Sequence, residues 1–158
     1  MQTLQQLISG ELKGAKTLKL SCGLTSFPQE IFELAETLEI IDLSGNNLSE
    51  LPINFYKLKN IKIAFFSENN FTKFPEVLSK CENLTMIGFK SNQIHTIHEN
   101  SFPEKLRWLI LTNNQIEKLP SSIGDCKLLQ KVALAGNKLN ELPKEMAQCE
   151  NIELLRIS

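Results

Sequence analysis

Net charge is almost absent from this chain. Its 17 basic and 18 acidic residues among 158 leave −1. No global field draws it to nucleic acid or to an anionic membrane, so any electrostatic contact has to be local. No apolar run approaches the roughly 20 residues that a membrane helix needs. The N-terminus, Met1 to Gly10, has neither the basic start nor the long apolar stretch of a secretory signal. Cys22, Cys81, Cys126 and Cys149 form no CxxC pair. These absences point to a soluble cytoplasmic protein with reduced thiols, no nucleic-acid or membrane partner and no cofactor. Disorder is excluded as well, because 42% hydrophobic against 22% charged residues suffices for a continuous core.

What is present is a repeat. Leu38, Ile61, Leu84, Leu106, Leu129 and Ile152 recur at spacings of 23, 23, 22, 23 and 23. Counting each as position 1, apolar pairs follow at positions 4 and 6: Ile41/Leu43, Ala64/Phe66, Ile87/Phe89, Leu109/Leu111, Val132/Leu134 and Leu155/Ile157. Asn46, Asn69, Asn92, Asn114 and Asn137 stand at position 9. Leu51-Pro52, Phe74-Pro75, Leu119-Pro120 and Leu142-Pro143 close the turn. An irregular copy begins at Ala15, one residue short in the turn, with Cys22 where an Asn would stand.

Each position has a physical reason. Side chains alternate across a strand, so positions 4 and 6 face the core while 3, 5 and 7 face solvent. The Asn can donate to and accept from backbone groups of its own coil and the next. Proline fixes φ and has no N–H to place, which suits the start of the return segment. The returns bring Phe55, Ile123 and Met146 inward and are too short for anything but 3₁₀ or single-turn helices. One coil departs: His98 replaces the proline, the return is one residue shorter, and Phe102 is expected to turn inward.

This LxxLxLxxNxLxxLP pattern resembles the leucine-rich repeats. More narrowly, the Leu4-Gln5-Gln6-Leu7 opening, the stretch from Leu18 to Pro28, Ile63 to Ser67 and Leu106 to Asn114 resemble the N-terminal repeats of bacterial leucine-rich-repeat protein kinases. The resemblance implies a recognition or regulatory module ahead of a kinase-like domain. It implies no catalysis here, because the chain has no glycine-rich phosphate loop, no His-Arg-Asp and no Asp-Phe-Gly.

The expected fold is an α/β solenoid, a right-handed horseshoe of about seven coils. A parallel sheet lines its concave face and short 3₁₀ or irregular returns its convex face. Residues 1–14 form a helical cap, with Thr3 as N-cap, Gly10 or Gly14 as stop, and Leu4, Leu7, Ile8 and Leu12 on one face. Residues 15–158 form the repeats. The last copy stops in mid-repeat, which suggests the N-terminal piece of a longer protein.

On the outward strand positions, Ile63, Phe65, Met86, Trp108 and Ile110 form an apolar patch. Gly88 lies between Phe65 and Ile110 as a notch without a side chain. Asp42 borders the patch on one side, Lys131 and Arg156 on the other. An apolar patch around an aromatic, with a charged rim, suits a protein or peptide ligand. A domain of the same full-length protein is the alternative occupant. The cysteines at position 21, Cys81, Cys126 and Cys149, read as buried free thiols; Cys126 and Cys149 lie one coil apart, within reach of a disulfide. His95 and His98 read as solvated loop residues rather than a metal site. The sequons at Asn47, Asn70 and Asn83 fall out of the repeat consensus.

Overall fold

The computed structural model describes all residues from Met1 to Ser158. Seven three-residue strands form one parallel sheet in chain order: β1 Thr17–Lys19, β2 Ile40–Asp42, β3 Ile63–Phe65, β4 Met86–Gly88, β5 Trp108–Ile110, β6 Lys131–Ala133 and β7 Leu154–Arg156. The pairing keeps the repeat register throughout, so Ile63, Met86, Trp108, Lys131 and Leu154 form one row across the sheet. Phe65, Gly88, Ile110, Ala133 and Arg156 form the next row.

The inward residues Leu18, Ile41, Ala64, Ile87, Leu109 and Val132 are 0–1% exposed and belong to one core cluster of 38 buried residues. Seven phenylalanines run through that core as a chain of ring contacts, from Phe27 through Phe55, Phe66, Phe89 and Phe74 to Phe102, with Phe71 bridging Phe66 and Phe89. Return segments at Gln29–Leu34, Phe55–Lys57, Glu76–Lys80, Ser121–Asp125 and Lys144–Gln148 are 3₁₀ helices. Four of the five follow directly on a proline, Pro28, Pro75, Pro120 or Pro143, as the fixed φ of that residue favours.

The coil that lacks its proline has no 3₁₀ helix between β4 and β5. Phe102 does turn inward, with its ring 5.2 Å from that of Phe74. Ser101 is buried beside it, and its hydroxyl has no hydrogen-bond partner.

The asparagine ladder runs the other way from the sequence expectation. Asn92 Nδ2 donates to Phe89 O in its own coil at 3.0 Å and to Phe66 O in the preceding coil at 3.0 Å. Its Oδ1 accepts from the Phe71 amide, again in the preceding coil, at 3.0 Å. Asn46 serves the irregular first coil likewise, accepting from the amides of Cys22 and Leu24, so that coil needs no Asn of its own. A second ladder escaped the sequence reading. At position 23, Asn60, Asn83 and Asn151 donate to the backbone carbonyls of Glu36, Lys59 and Lys127 on the preceding coil.

Position 8 carries a further constraint. Gly45, Glu68, Ser91, Asn113 and Gly136 all have positive φ, between 52° and 75°. The turn out of each strand passes through the left-handed region, which costs a residue with a Cβ roughly 1 kcal/mol.

The N-terminal helix, α1, is shorter than expected, Leu4–Ile8. Thr3 caps it in a reciprocal box with Gln6. Leu7 is buried and Leu4 and Leu12 half-buried against the core, but Ile8 is 57% exposed and lies off that face. Gln2 protects the open edge of β1: its amide donates to Thr17 O at 2.8 Å and accepts from the Lys19 amide at 2.7 Å. At the other end, Leu155 and Ile157 are 38% and 53% exposed, whereas Leu109 and Leu111 in the same slots are fully buried.

Candidate functional site

The outward rows of β3 to β7 carry the candidate side chains, brought side by side by the 22- or 23-residue spacing. Ile63, Phe65, Met86, Trp108, Ile110 and Lys131 are half-buried rather than freely exposed, because neighbouring coils shield each other; Arg156 is exposed. Asp42 is half-buried at the far end, and its carboxylate accepts from the Ser44 amide at 2.9 Å, which ties it to its own turn.

The notch is not at Gly88. The Phe65 ring folds over that residue, leaving Gly88 buried. The depression lies instead over Ala133, a cleft of about 250 Å³ whose outward lining is Trp108, Ile110, Lys131, Ala133, Leu154 and Arg156. Ala133 is the smallest side chain in its row between Ile110 and Arg156, so it forms the floor. Reading position 5 for its second-smallest residue would have found it.

The two cations at this cleft differ. Lys131 Nζ lies 4.0 Å from the centroid of the Trp108 ring, a cation–π arrangement that holds both side chains over the sheet. Arg156 reaches from the last strand into solvent. Neither side chain pairs with a carboxylate; the ion pairs of the molecule are Glu36–Lys59 and Glu39–Lys62, at 3.1 and 3.5 Å.

A larger groove, about 750 Å³, opens beside the irregular coil between Ser49–Ile53, Thr72–Lys80 and His98–Asn100. Its walls mix Glu50, Glu76 and Glu99 with Lys73 and Lys80 and give no single chemical signature. Glu99 there has a structural task that the sequence did not reveal. Its carboxylate accepts from the amides of Ser121 and Ser122 and from the Ser121 hydroxyl, at 2.9–3.2 Å, at the start of the next coil's 3₁₀ helix. Those hydrogen bonds, led by the one from the Ser122 amide, hold its pKa below the ordinary value of 4.5. His95 and His98 are exposed on either side of Ile97, and His95 Nδ1 lies 2.8 Å from Thr96 Oγ1. No group of three metal-ligating side chains occurs. No helix is long and apolar enough to cross a membrane.

Cys81, Cys126 and Cys149 are buried free thiols, and Cys22 is exposed. Burial pushes Cys81 and Cys126 up to about 12, and it also raises Cys149. Cys126 is raised further by Cys149. Cys149 Sγ is spent on Ile123 O at 3.2 Å.

The chain matches the leucine-rich repeat family model at residues 37–58 and 105–126. An adenylate cyclase of Podospora anserina is 34% identical over 109 residues, 66% of this chain and 5% of that protein. The volume-regulated anion channel subunit LRRC8A of Homo sapiens is 30% identical over 146 residues, 90% of this chain and 18% of that protein. The chain thus spans less than a fifth of the length of these relatives. Among solved structures, the plant peptide hormone receptor RGFR1 in complex with RGF2 superposes with a TM-score of 0.80 at 29% identity, over 92% of this chain and 24% of the receptor. The repeat register, the parallel sheet and these matches together support a leucine-rich repeat protein, a fold that is typically a non-catalytic binding module.

Proposed function

We propose that this chain is a protein-interaction module that uses the concave sheet face, within a larger cytoplasmic signalling protein. The observation that carries the reading is the row Ile63–Met86–Trp108–Lys131–Leu154 beside the row Phe65–Gly88–Ile110–Ala133–Arg156. Together they form an aromatic-centred apolar surface with cations at its rim, the composition of a protein contact. The solved structure it resembles is a plant peptide hormone receptor in complex with RGF2, which supports the same use of the fold. Likeness to the repeats of bacterial kinases makes a kinase-like domain of the same protein the second candidate occupant.

Trp108→Ala is the test. Affinity capture with the wild-type chain and with this variant, read by mass spectrometry, should lose its partners in the variant. The unfolding free energy should stay within about 1 kcal/mol, because Trp108 sits outside the core. Partners retained by the variant, or lost on substituting Ile53 beside the other groove instead, would move the working surface off the concave face.

A further inference from the structure

We infer that the cleft over Ala133 is a docking site for an extended peptide segment carrying an apolar side chain with an acidic side chain one or two residues away. The inference rests on the concave-face reading above and gives that face a partner chemistry.

Charge supplies the first argument. The whole chain is nearly neutral at −1, but the concave side is not. On β4 to β7, taking the outward strand residues and the outward residue two beyond each strand, the charged groups are Lys90, Lys131 and Arg156, with no acid among them. The only acid at these positions anywhere on the sheet is Asp42, at the far end and hydrogen-bonded to the Ser44 amide. Lys131 and Arg156 therefore present cationic groups without a carboxylate partner, beside an apolar floor. Two unpaired cations next to apolar surface favour a ligand that supplies both kinds of group.

Size supplies the second argument. About 250 Å³ lies below the range of roughly 300–1,000 Å³ usual for small-molecule sites, so the cleft suits one large side chain rather than a cofactor. Spacing supplies the third. Ala133 and Arg156 are register partners on adjacent strands, so their backbones lie about 4.8 Å apart. An extended peptide advances about 3.3 Å per residue, so the flexible Arg156 side chain can meet an acid one or two residues from the anchor. Lys131, held over the indole, presents its charge on the Trp108 wall.

Trp108 is the only tryptophan in the chain, so its fluorescence reports directly on the cleft. The probe is an acetylated, amidated peptide Gly-Glu-Leu-Asp-Phe-Glu-Gly, which contains no tryptophan, titrated into the full chain. A saturable change in Trp108 emission is expected. Binding should weaken about tenfold in Lys131→Gln and again in Arg156→Gln, and should be lost in Ala133→Leu, which fills the floor from an outward position outside the core. Circular dichroism and the urea midpoint of each variant establish that it is folded. The matched peptide with Gln and Asn in place of Glu and Asp should bind at least tenfold more weakly. If the neutral peptide binds equally and Ala133→Leu still abolishes it, the acidic chemistry is overturned while the concave-face reading stands. If no change in emission occurs, or binding survives Ala133→Leu, the cleft itself is overturned. If the neutral peptide binds only with a free C-terminus, a terminal carboxylate replaces the acidic side chain as the ligand.

Discussion

The Phe65 ring lies against Gly88 so closely that a Cβ on Gly88 would stand 2.7 Å from Phe65 Cδ1 and 3.2 Å from Cε1. The backbone of Gly88 needs no left-handed conformation, so its lack of a side chain serves the ring alone. Gly88→Ala should therefore lift Phe65 off the sheet and cost roughly 1 kcal/mol by urea unfolding, as overpacking against a movable ring does. In a Phe65→Ala background the same substitution should cost close to nothing. Equal costs in both backgrounds would show that the strain lies elsewhere.

Asn92 and Asn137 occupy the same repeat position at different depths. Asn92 is 5% exposed and Asn137 is half-buried near the last strand. Asn92→Ala leaves the Phe71 amide and the carbonyls of Phe66 and Phe89 short of a partner in the core. A loss of about 2–4 kcal/mol is expected from such buried unsatisfied groups. Water can replace part of what Asn137 supplies to Ile116, Leu111 and Leu134, so Asn137→Ala should cost less than half as much. Chemical denaturation of the two variants side by side measures the difference.

Glu99 couples the irregular coil to the following 3₁₀ helix, and its depressed pKa fixes the sign of the pH effect. Its folded value lies below the ordinary 4.5, so the unfolded chain binds the proton more readily. The contribution is complete above about pH 4.5 and is lost as pH falls through the folded value. NMR titration of the side-chain carboxyl should show a midpoint below that of a free glutamate. Glu99→Gln should lower stability in the neutral region and leave the low-pH region, where Glu99 is already protonated, little changed, which flattens the acid limb of the stability profile.

The thiols give an alkaline counterpart. Cys81 and Cys126 sit near 12 when folded against an ordinary 9.0, and Cys149 is raised too. Stability from keeping them protonated is full below pH 9 and declines as pH rises from 9 toward 12. At pH 8 a thiol reagent should label Cys22 alone in the native protein and four groups in denaturant without reductant. Two groups in denaturant would instead indicate a disulfide between Cys126 and Cys149.

The solenoid was legible because each of its devices is periodic. Leu109 and Leu111 had to face inward, Asn114 had to sit at the turn, and Pro120 had to begin a return, in any chain with this register. The departures from periodicity were only partly legible. The loss of the proline at His98 announced an irregular return and the inward Phe102. It did not announce that Ser101 would be buried unpaired or that Glu99 would bind the first amides of a helix 22 and 23 residues on. Position 8 also went unread, because Glu68, Ser91 and Asn113 hide a left-handed turn that glycine marks only at Gly45 and Gly136.

The sequence alone determined which side chains share a face, because strand alternation and a fixed repeat length assign every outward position without reference to its neighbours. How those side chains lie once assigned depends on the packing of neighbouring coils. Phe65 had room to swing over Gly88, so the notch expected there is filled and the open floor is Ala133. Lys131 could reach the Trp108 indole, so a rim charge became part of the cleft wall. Periodicity fixes the direction of a Cα–Cβ bond, but the rotamer beyond it is chosen by the free volume and charge of the adjacent coils.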